Sequence, residues 1–218
     1  MGKKNYARKY AKDLNIWTRL YQYYAVFLFH LIFGIFYRIK YEGRNNIPKD
    51  RNVIIAANHI SYFDPLLVTA ASGIRVAYMA KKELFENKWL GKNIDRLGAF
   101  AVNREKVEVS TIKSALDVFK AKWSLGIFPQ GGIRRNKAIE HVNKGFIAFA
   151  KMSKVDIIPM GITGCEEYNW MPLRGKIEVK IGRAISYELS EEEIIKEWSK
   201  QICELTGYEN RIKIEEFK

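Results

Sequence analysis

Two cysteines, Cys165 and Cys203, are all that the 218 residues contain. That count excludes a disulfide framework and any four-cysteine zinc site, and it makes a reducing, cytoplasm-facing location the expectation. No G-x-S-x-G elbow is present, which argues against a serine hydrolase that would hand an acyl group to water. Acidic residues are scarce: 24 Asp and Glu stand against 37 Lys and Arg, for a net charge of +13. Such a balance favours a polyanionic partner, whether nucleic acid, an anionic membrane surface or a phosphorylated substrate. The basic residues form no dense stripe with a nucleic-acid-reading motif, so nucleic acid is not the expected partner. No internal repeat, low-complexity tract or linker interrupts residues 42–218.

Apolar residues make up 48% of the chain and charged residues 28%, which suits a globular domain with a real core. The basic excess is uneven. From Ser190 onward there are eight acids and five bases, so the excess lies in the N-terminal and central parts. The first nineteen residues hold Lys3, Lys4, Arg8, Lys9, Lys12 and Arg19 against Asp13 alone.

Between Arg19 and Arg38 runs an uncharged, aromatic-rich stretch of eighteen residues. As a helix it is about 27 Å long, just short of the roughly 30 Å hydrocarbon core. No small-residue cleavage site follows, so a signal peptide is not expected. A helix in the membrane interface, a true span and a core helix packed on the domain are all compatible with this stretch. The basic flank with Tyr6, Tyr10, Trp17, Tyr21, Tyr23 and Tyr24 suits headgroup depth and favours the first. Residues 1–41 are therefore read as a membrane-associating helical segment and 42–218 as the globular domain.

From residue 52 on, short apolar runs alternate with helical patterns. Strands are predicted over 52–57, 76–80, 99–103, 125–129 and 156–162, and an alternating, half-exposed and antiparallel strand over 176–182. Helices are predicted over 64–72, 82–97, 107–123, 143–152 and 191–204. This alternation implies an α/β fold with a mixed, mostly parallel sheet flanked by helices.

The first strand runs into Asn-His-Ile-Ser-Tyr-Phe-Asp-Pro over residues 58–65. His59 stands at a strand C-terminal end, where sites in open α/β sheets are found. Asp64, directly before Pro65, is expected at a helix N-cap. A turn between them can bring the carboxylate onto one imidazole nitrogen and leave the other as a base. Taken alone, such a pair is as compatible with a helix cap and a loop histidine. His30 reads as an interfacial or packed residue and His141 as a loop histidine. Cys165 and Cys203 read as buried structural or incidental residues.

The octapeptide resembles the N-H-x-S-x-x-D-P signature of the 1-acyl-sn-glycerol-3-phosphate acyltransferase family, the glycerolipid acyltransferases. Three further blocks are similar to that family in order and spacing: A-K-K-E-L-F (80–85) with G-A-F-A-V-N-R (98–104), I-F-P-Q-G-G-I-R-R (127–135) and I-I-P-M-G-I (157–162). Together they span about residues 50–165.

The resemblance implies acyl transfer from a thioester to the hydroxyl of a lysophospholipid. His59 would be the general base and Asp64 its partner, as in a catalytic triad without a serine. Backbone N–H groups of Gly131 and Gly132 would stabilise the oxyanion. Arg104 would bind the acceptor phosphate, a group that matches a guanidinium fork, and Lys81 would be a second cation. Asn58, Ser61, Gln130, Arg134 and Arg135 complete the expected substrate-binding set.

The third block departs from the family's F-P-E-G-T-R. Gln130 replaces the acid and Gly132 the threonine, and the arginine arrives one place late as Arg134, with Arg135 behind it. Pro159, Ile157 and Ile158 are expected to pack behind the site and shape an acyl slot.

The implied reaction forms phosphatidate from lysophosphatidate. Acceptors elsewhere in the superfamily include other lysophospholipids, lyso-aminolipids and glycosylated carotenoids. The donor is acyl carrier protein or coenzyme A thioester, and no cofactor or metal is expected. The implied partners are a phospholipid membrane, the lysophospholipid and the donor. A monomer is expected on the cytoplasmic face of the cytoplasmic membrane. The reading from another class is a non-catalytic, basic membrane-binding protein.

Overall fold

Every apolar run from Ile54 onward that was expected to be a strand is one in the computed structural model, which describes residues 14–102, 109–166 and 175–212. The strands are β1 (Tyr37–Glu42), β2 (Ile54–Ala57), β3 (Val76–Lys81), β4 (Ala99–Val102), β5 (Ser124–Ile127), β6 (Ala138–Ile139), β7 (Ile157–Thr163), β8 (Gly175–Ile181) and β9 (Glu209–Asn210). The helices are α1 (Ile16–Phe33), α2 (Asp64–Ser72), α3 (Lys88–Arg96), α4 (Val109–Lys120), α5 (Gly145–Ser153) and α6 (Glu191–Thr206). Two 3₁₀ turns, Arg44–Asn46 and Lys82–Phe85, supplement them.

Seven strands form one sheet in the order β1-β8-β7-β2-β5-β3-β4, and β6 pairs with β9 separately. All pairings in the large sheet are parallel except β7 with β8. The fold is the expected α/β class with a mixed, mostly parallel sheet. The sheet also begins earlier than expected. Tyr37–Glu42 pairs with Gly175–Lys180 as an edge strand, so the division drawn at 41/42 crosses β1. Its signal was hidden because the strand carries Arg38, Lys40 and Glu42 on an edge, where polar residues are tolerated.

Central β2 is buried along its whole length, as strands covered on both faces are. Trp198 of α6 is fully buried and donates its indole N–H to Ala56 O at 2.9 Å. Helix α6 opens with a capping box in which the Ser190 hydroxyl accepts from Glu193 N and the Glu193 carboxylate accepts from Ser190 N. Pro159, which has no N–H to donate, sits in β7 before its ladder with β8 begins at Met160. Ile157 and Ile158 are fully buried core of the sheet. They pack the interior solidly, and the walls of an acyl slot are not made from them.

Helix α1 is capped by Asn15, whose side chain accepts from Trp17 N and Thr18 N. It docks along one side only. Gln22 Nε2 donates to Val76 O and Leu97 O at 2.7 and 2.6 Å. Phe29 and Phe33 pack on Phe63, with ring centroids 5.7 and 4.4 Å away. His30 bonds Val26 O and the Tyr41 hydroxyl, both at 2.7 Å, which fixes it as a packed residue. The opposite side leaves Trp17, Leu20, Tyr24, Phe27 and Leu31 exposed. Among the described residues, no helix is long and apolar enough to cross a membrane.

Candidate active site

Parallel strands point their C-terminal ends the same way, so β2, β3, β4, β5 and β7 deliver their following loops to one edge of the sheet. His59 leaves β2 there, Lys81 ends β3, Phe128 leaves β5 and Cys165 follows β7.

The His59–Asp64 pair is formed. His59 Nδ1 lies 2.7 Å from Asp64 Oδ2. The same carboxylate oxygen accepts the backbone N–H of Ile60 at 2.7 Å and of Ser61 at 2.9 Å. Asp64 therefore does not cap α2. It is the helix's first residue, and its side chain closes the preceding turn back on itself. Asp64 is fully buried, whereas the His59 side chain keeps 13% of its surface open. The buried carboxylate is thus held by two backbone N–H groups and the imidazole. With Nδ1–H directed at the carboxylate, Nε2 presents a lone pair, and it has no partner among the described residues.

A ring column supports the imidazole. Phe128 stacks on His59 with centroids 4.1 Å apart and planes 19° apart, and Tyr78 stacks on Phe128. The Tyr78 hydroxyl donates to Pro65 O at 2.8 Å, which ties the column to the start of α2. Tyr78 crosses β5 at Gly126, where any Cβ would overlap its ring.

The other carboxylate oxygen faces a residue that the sequence did not single out. Cys165 Sγ lies 3.7 Å from Asp64 Oδ1 and is buried. Burial, and then the negative charges of Asp64 and Glu166, push the thiol pKa up, so the group stays a neutral S–H donor. Behind it the Tyr208 hydroxyl donates to Glu166 Oε1, and Glu166 Oε2 accepts from Gly164 N at 2.8 Å. Cys165 is 101 positions from Asp64, and no local pattern marks such a contact.

The glycine loop is joined to this centre by its backbone. Arg134 N donates to His59 O at 2.7 Å, and Arg135 Nε donates to Ile60 O at 3.2 Å. The two glycines expected to act together differ. Gly131 has φ +75, a conformation L side chains resist, and its N–H donates to Phe128 O at 3.0 Å. That N–H is committed to the turn, so the expected pair of oxyanion donors reduces to Gly132. Gly132 N–H has no partner among the described residues, and the space beside its Cα is open.

The remaining expected site residues fall into two groups. Asn58 and Ser61 are fully buried and are bonded within the protein. Asn58 donates to Ile162 O at 2.8 Å and accepts from Ile162 N at 2.7 Å, clamping β2 to β7, and Ser61 Oγ accepts from Phe63 N. They are positioned to hold the loop rather than to touch substrate. Gln130 is also buried, with Nε2 3.4 Å from Ala138 O. Lys81 and Arg134 are exposed at the site edge, and neither has an ion-pair partner among the described residues. Arg104 lies outside the described residues, two positions beyond the end of β4. Nor is a His, Cys, Asp or Glu cluster able to hold a metal present among the described residues.

An α/β sheet with a carboxylate-bound histidine at its C-terminal edge and a glycine loop bonded to that histidine's backbone defines an acyl-transfer enzyme. The chain belongs to the acyltransferase family, whose model matches residues 38–163. It is 32% identical over 150 residues to a 1-acyl-sn-glycerol-3-phosphate acyltransferase of Bacillus subtilis, covering 67% of this chain and 73% of that protein. A protein of the same description from Streptococcus pneumoniae is 33% identical over 168 residues, covering 76% of this chain but 62% of the relative, less than two thirds of its length. The crystal structure of the 1-acyl-sn-glycerophosphate (LPA) acyltransferase PlsC from Thermotoga maritima has a similar fold. Its TM-score is 0.65 at 22% identity, covering 86% of this chain and 77% of that one.

Proposed function

We propose that this protein is a membrane-associated O-acyltransferase that moves a fatty acyl group from an acyl thioester to the sn-2 hydroxyl of lysophosphatidate, giving phosphatidate. The observation that carries the reading is the His59–Asp64 contact at 2.7 Å with Nε2 left open. The 1-acyl-sn-glycerol-3-phosphate acyltransferases among the relatives supply the acceptor.

In this reading Nε2 of His59 takes the proton of the acceptor hydroxyl as its oxygen attacks the thioester carbon. The C=O π electrons move to oxygen, and Gly132 N–H donates to that oxyanion. Asp64 stabilises the imidazolium and keeps the ring in one tautomer. Collapse breaks the C–S bond, and the thiolate leaves with the proton held at Nε2. No covalent enzyme intermediate is needed, because the acceptor is the nucleophile. Lys81, Arg134, Arg135 and Arg104 supply cations for the acceptor phosphate. Gln130 fills a buried position where an unpaired carboxylate would be costly to desolvate. Acyl carrier protein and coenzyme A both offer an anionic thioester that suits the basic surface.

Helix α1 supports peripheral docking on the bilayer. Its inner side is packed on the domain, and its outer side is apolar at interfacial spacing. The test is acyl transfer from both donors to lysophosphatidate, monoacylglycerol and a panel of other lyso-lipids, read by product mass. Phosphatidate as the dominant product supports the proposal. Dominant acylation of another hydroxyl would replace the acceptor but keep the chemistry.

A further inference from the structure

We infer that a basic cavity at the opposite end of the sheet from His59 is a second anion site, which takes the headgroup phosphate of an anionic membrane lipid. The inference rests on the reading of α1 as an interfacial helix. The cavity has a volume of about 570 Å³, within the roughly 300–1,000 Å³ of small-molecule sites. Its walls come from α1, from the segment before β2, from the α2–β3 turn and from the segment before β5. They carry five cations, Arg19, Lys49, Arg51, Arg75 and Lys122, against the single acid Asp50.

Most of this charge is uncompensated. Arg51 pairs with Asp156 at 3.4 Å, and Arg19 donates to the Tyr23 hydroxyl. Lys49, Arg75 and Lys122 have no ion-pair partner among the described residues. Like charges gathered in a concavity repel one another, and an anion placed among them removes that repulsion. Lys122 is held in the left-handed region at φ 59, a conformation uncommon for residues other than glycine.

Position selects the source of the anion. The cavity opens at the N-terminal ends of β2, β3 and β5, whereas the reacting histidine follows the C-terminal end of β2. An anion bound here is therefore not the phosphate of the reacting acceptor. Arg19 belongs to the first turns of α1, beside Trp17 and Leu20, which are 74% and 49% exposed. With those side chains in the interface, the cavity lies at headgroup depth, where each basic residue adds to attraction by anionic lipid.

The experiment is flotation of the full-length protein with vesicles of phosphatidylcholine alone and of phosphatidylcholine with phosphatidylglycerol. Arg75→Ala/Lys122→Ala should lose about tenfold or more of the added affinity for the anionic vesicles, given two well-placed cations, and keep wild-type binding to neutral ones. Lys196→Ala/Lys200→Ala removes the same net charge from exposed positions on α6 and should lose no more than about twofold. Equal losses in the two variants would reduce the effect to net charge and overturn the site. Inorganic pyrophosphate binding that depends on Arg75 and Lys122, without any vesicle effect, would overturn the lipid assignment. Phe27→Ser/Leu31→Ser should weaken binding to both vesicle types. If it does not, the α1 reading fails instead. Transfer to a water-soluble, short-chain acceptor should be unchanged in Arg75→Ala/Lys122→Ala. Should that variant misfold, Arg75→Gln/Lys122→Gln, which keeps an uncharged polar side chain at both positions, takes its place with the same expected outcomes.

Discussion

The backbone N–H of Arg134 donates to the carbonyl oxygen of His59 at 2.7 Å. This bond joins the glycine loop to the histidine loop through main-chain atoms only. This link between the two loops does not itself use the side chains at positions 130 and 132. That is how the loop can carry Gln130 and Gly132 in place of the family's glutamate and threonine and still be registered on the dyad.

His59→Ala should lower transfer by about 10²–10⁴-fold, the usual yield of general-base catalysis. The chain should still fold, since Asp64 Oδ2 keeps the Ile60 and Ser61 N–H donors, but its unfolding temperature should fall because the buried carboxylate loses its imidazole partner. Steady-state rates and thermal melts of the purified variant check both halves. Retention of more than half of the turnover would sink the mechanism.

Asp64→Asn should be nearly as inactive while still folding. Its amide oxygen can replace Oδ2 in accepting from Ile60 and Ser61, but it brings no charge to an imidazolium. Cys165→Ala leaves Oδ1 of a buried carboxylate without its S–H donor, which should cost about 1–3 kcal/mol in stability. Cys165→Ser should restore most of that, because a hydroxyl donates more strongly. Denaturant titration of the two cysteine variants decides whether the contact matters.

Gly131→Ala and Gly132→Ala should part company. At Gly131 a Cβ would stand 2.6 Å from Asn143 Nδ2 at φ +75, so a loss of about 1–3 kcal/mol is expected. At Gly132 a Cβ meets nothing within 4 Å, and stability should be unchanged. Melts of the pair provide the comparison, and equal destabilisation would contradict the loop geometry.

Gln130→Glu, which restores the family's acid, should destabilise this chain. The Nε2 donor to Ala138 O is lost, and a carboxylate would instead face a carbonyl oxygen in a buried position. The penalty should shrink at low pH, where the acid is protonated. A stability profile between about pH 4 and 8 measures it.

Alkaline pH should weaken the fold. Burial raises the Cys165 thiol above its ordinary value of 9.0 and raises Tyr41 to about 12, and it raises Tyr78 and Tyr208 as well. In each case the neutral, protonated form is favoured in the native state. The unfolded chain therefore releases these protons first, and stability is full below the unfolded pKa and falls as pH rises above it. Melting temperatures should be level with respect to these groups below about pH 8.5 and should decline beyond it. Cys165→Ser should remove part of the earliest decline, the rest belonging to Cys203, whose thiol pKa is also raised by burial.

Local pattern was enough for much of this protein. The helix predicted over 64–72 has those bounds, because Pro65 fixes its first turn and its apolar spacing continues to Ser72. The strands β2, β3, β5 and β7 were legible because a central strand must be apolar on both faces, and β4, though at the edge, was legible because it is itself a short, mostly buried apolar run. His59 and Asp64 were legible because they lie five positions apart, within reach of one turn. Other features depend on segments that meet only when the sheet closes. Edge strand β1 has no apolar run and becomes a strand by pairing with Gly175–Lys180. Asn58 could not be read as a clamp without Ile162 beside it, nor Cys165 as a partner of Asp64. The division of labour between Gly131 and Gly132 follows from a turn whose carbonyl, that of Phe128, takes one N–H and leaves the other. The docking of α1, with one side packed on Phe63 and the other left apolar, was likewise decided by tertiary structure. A stretch apolar all round fits a span, an interface or a core equally well until the surface it covers is known.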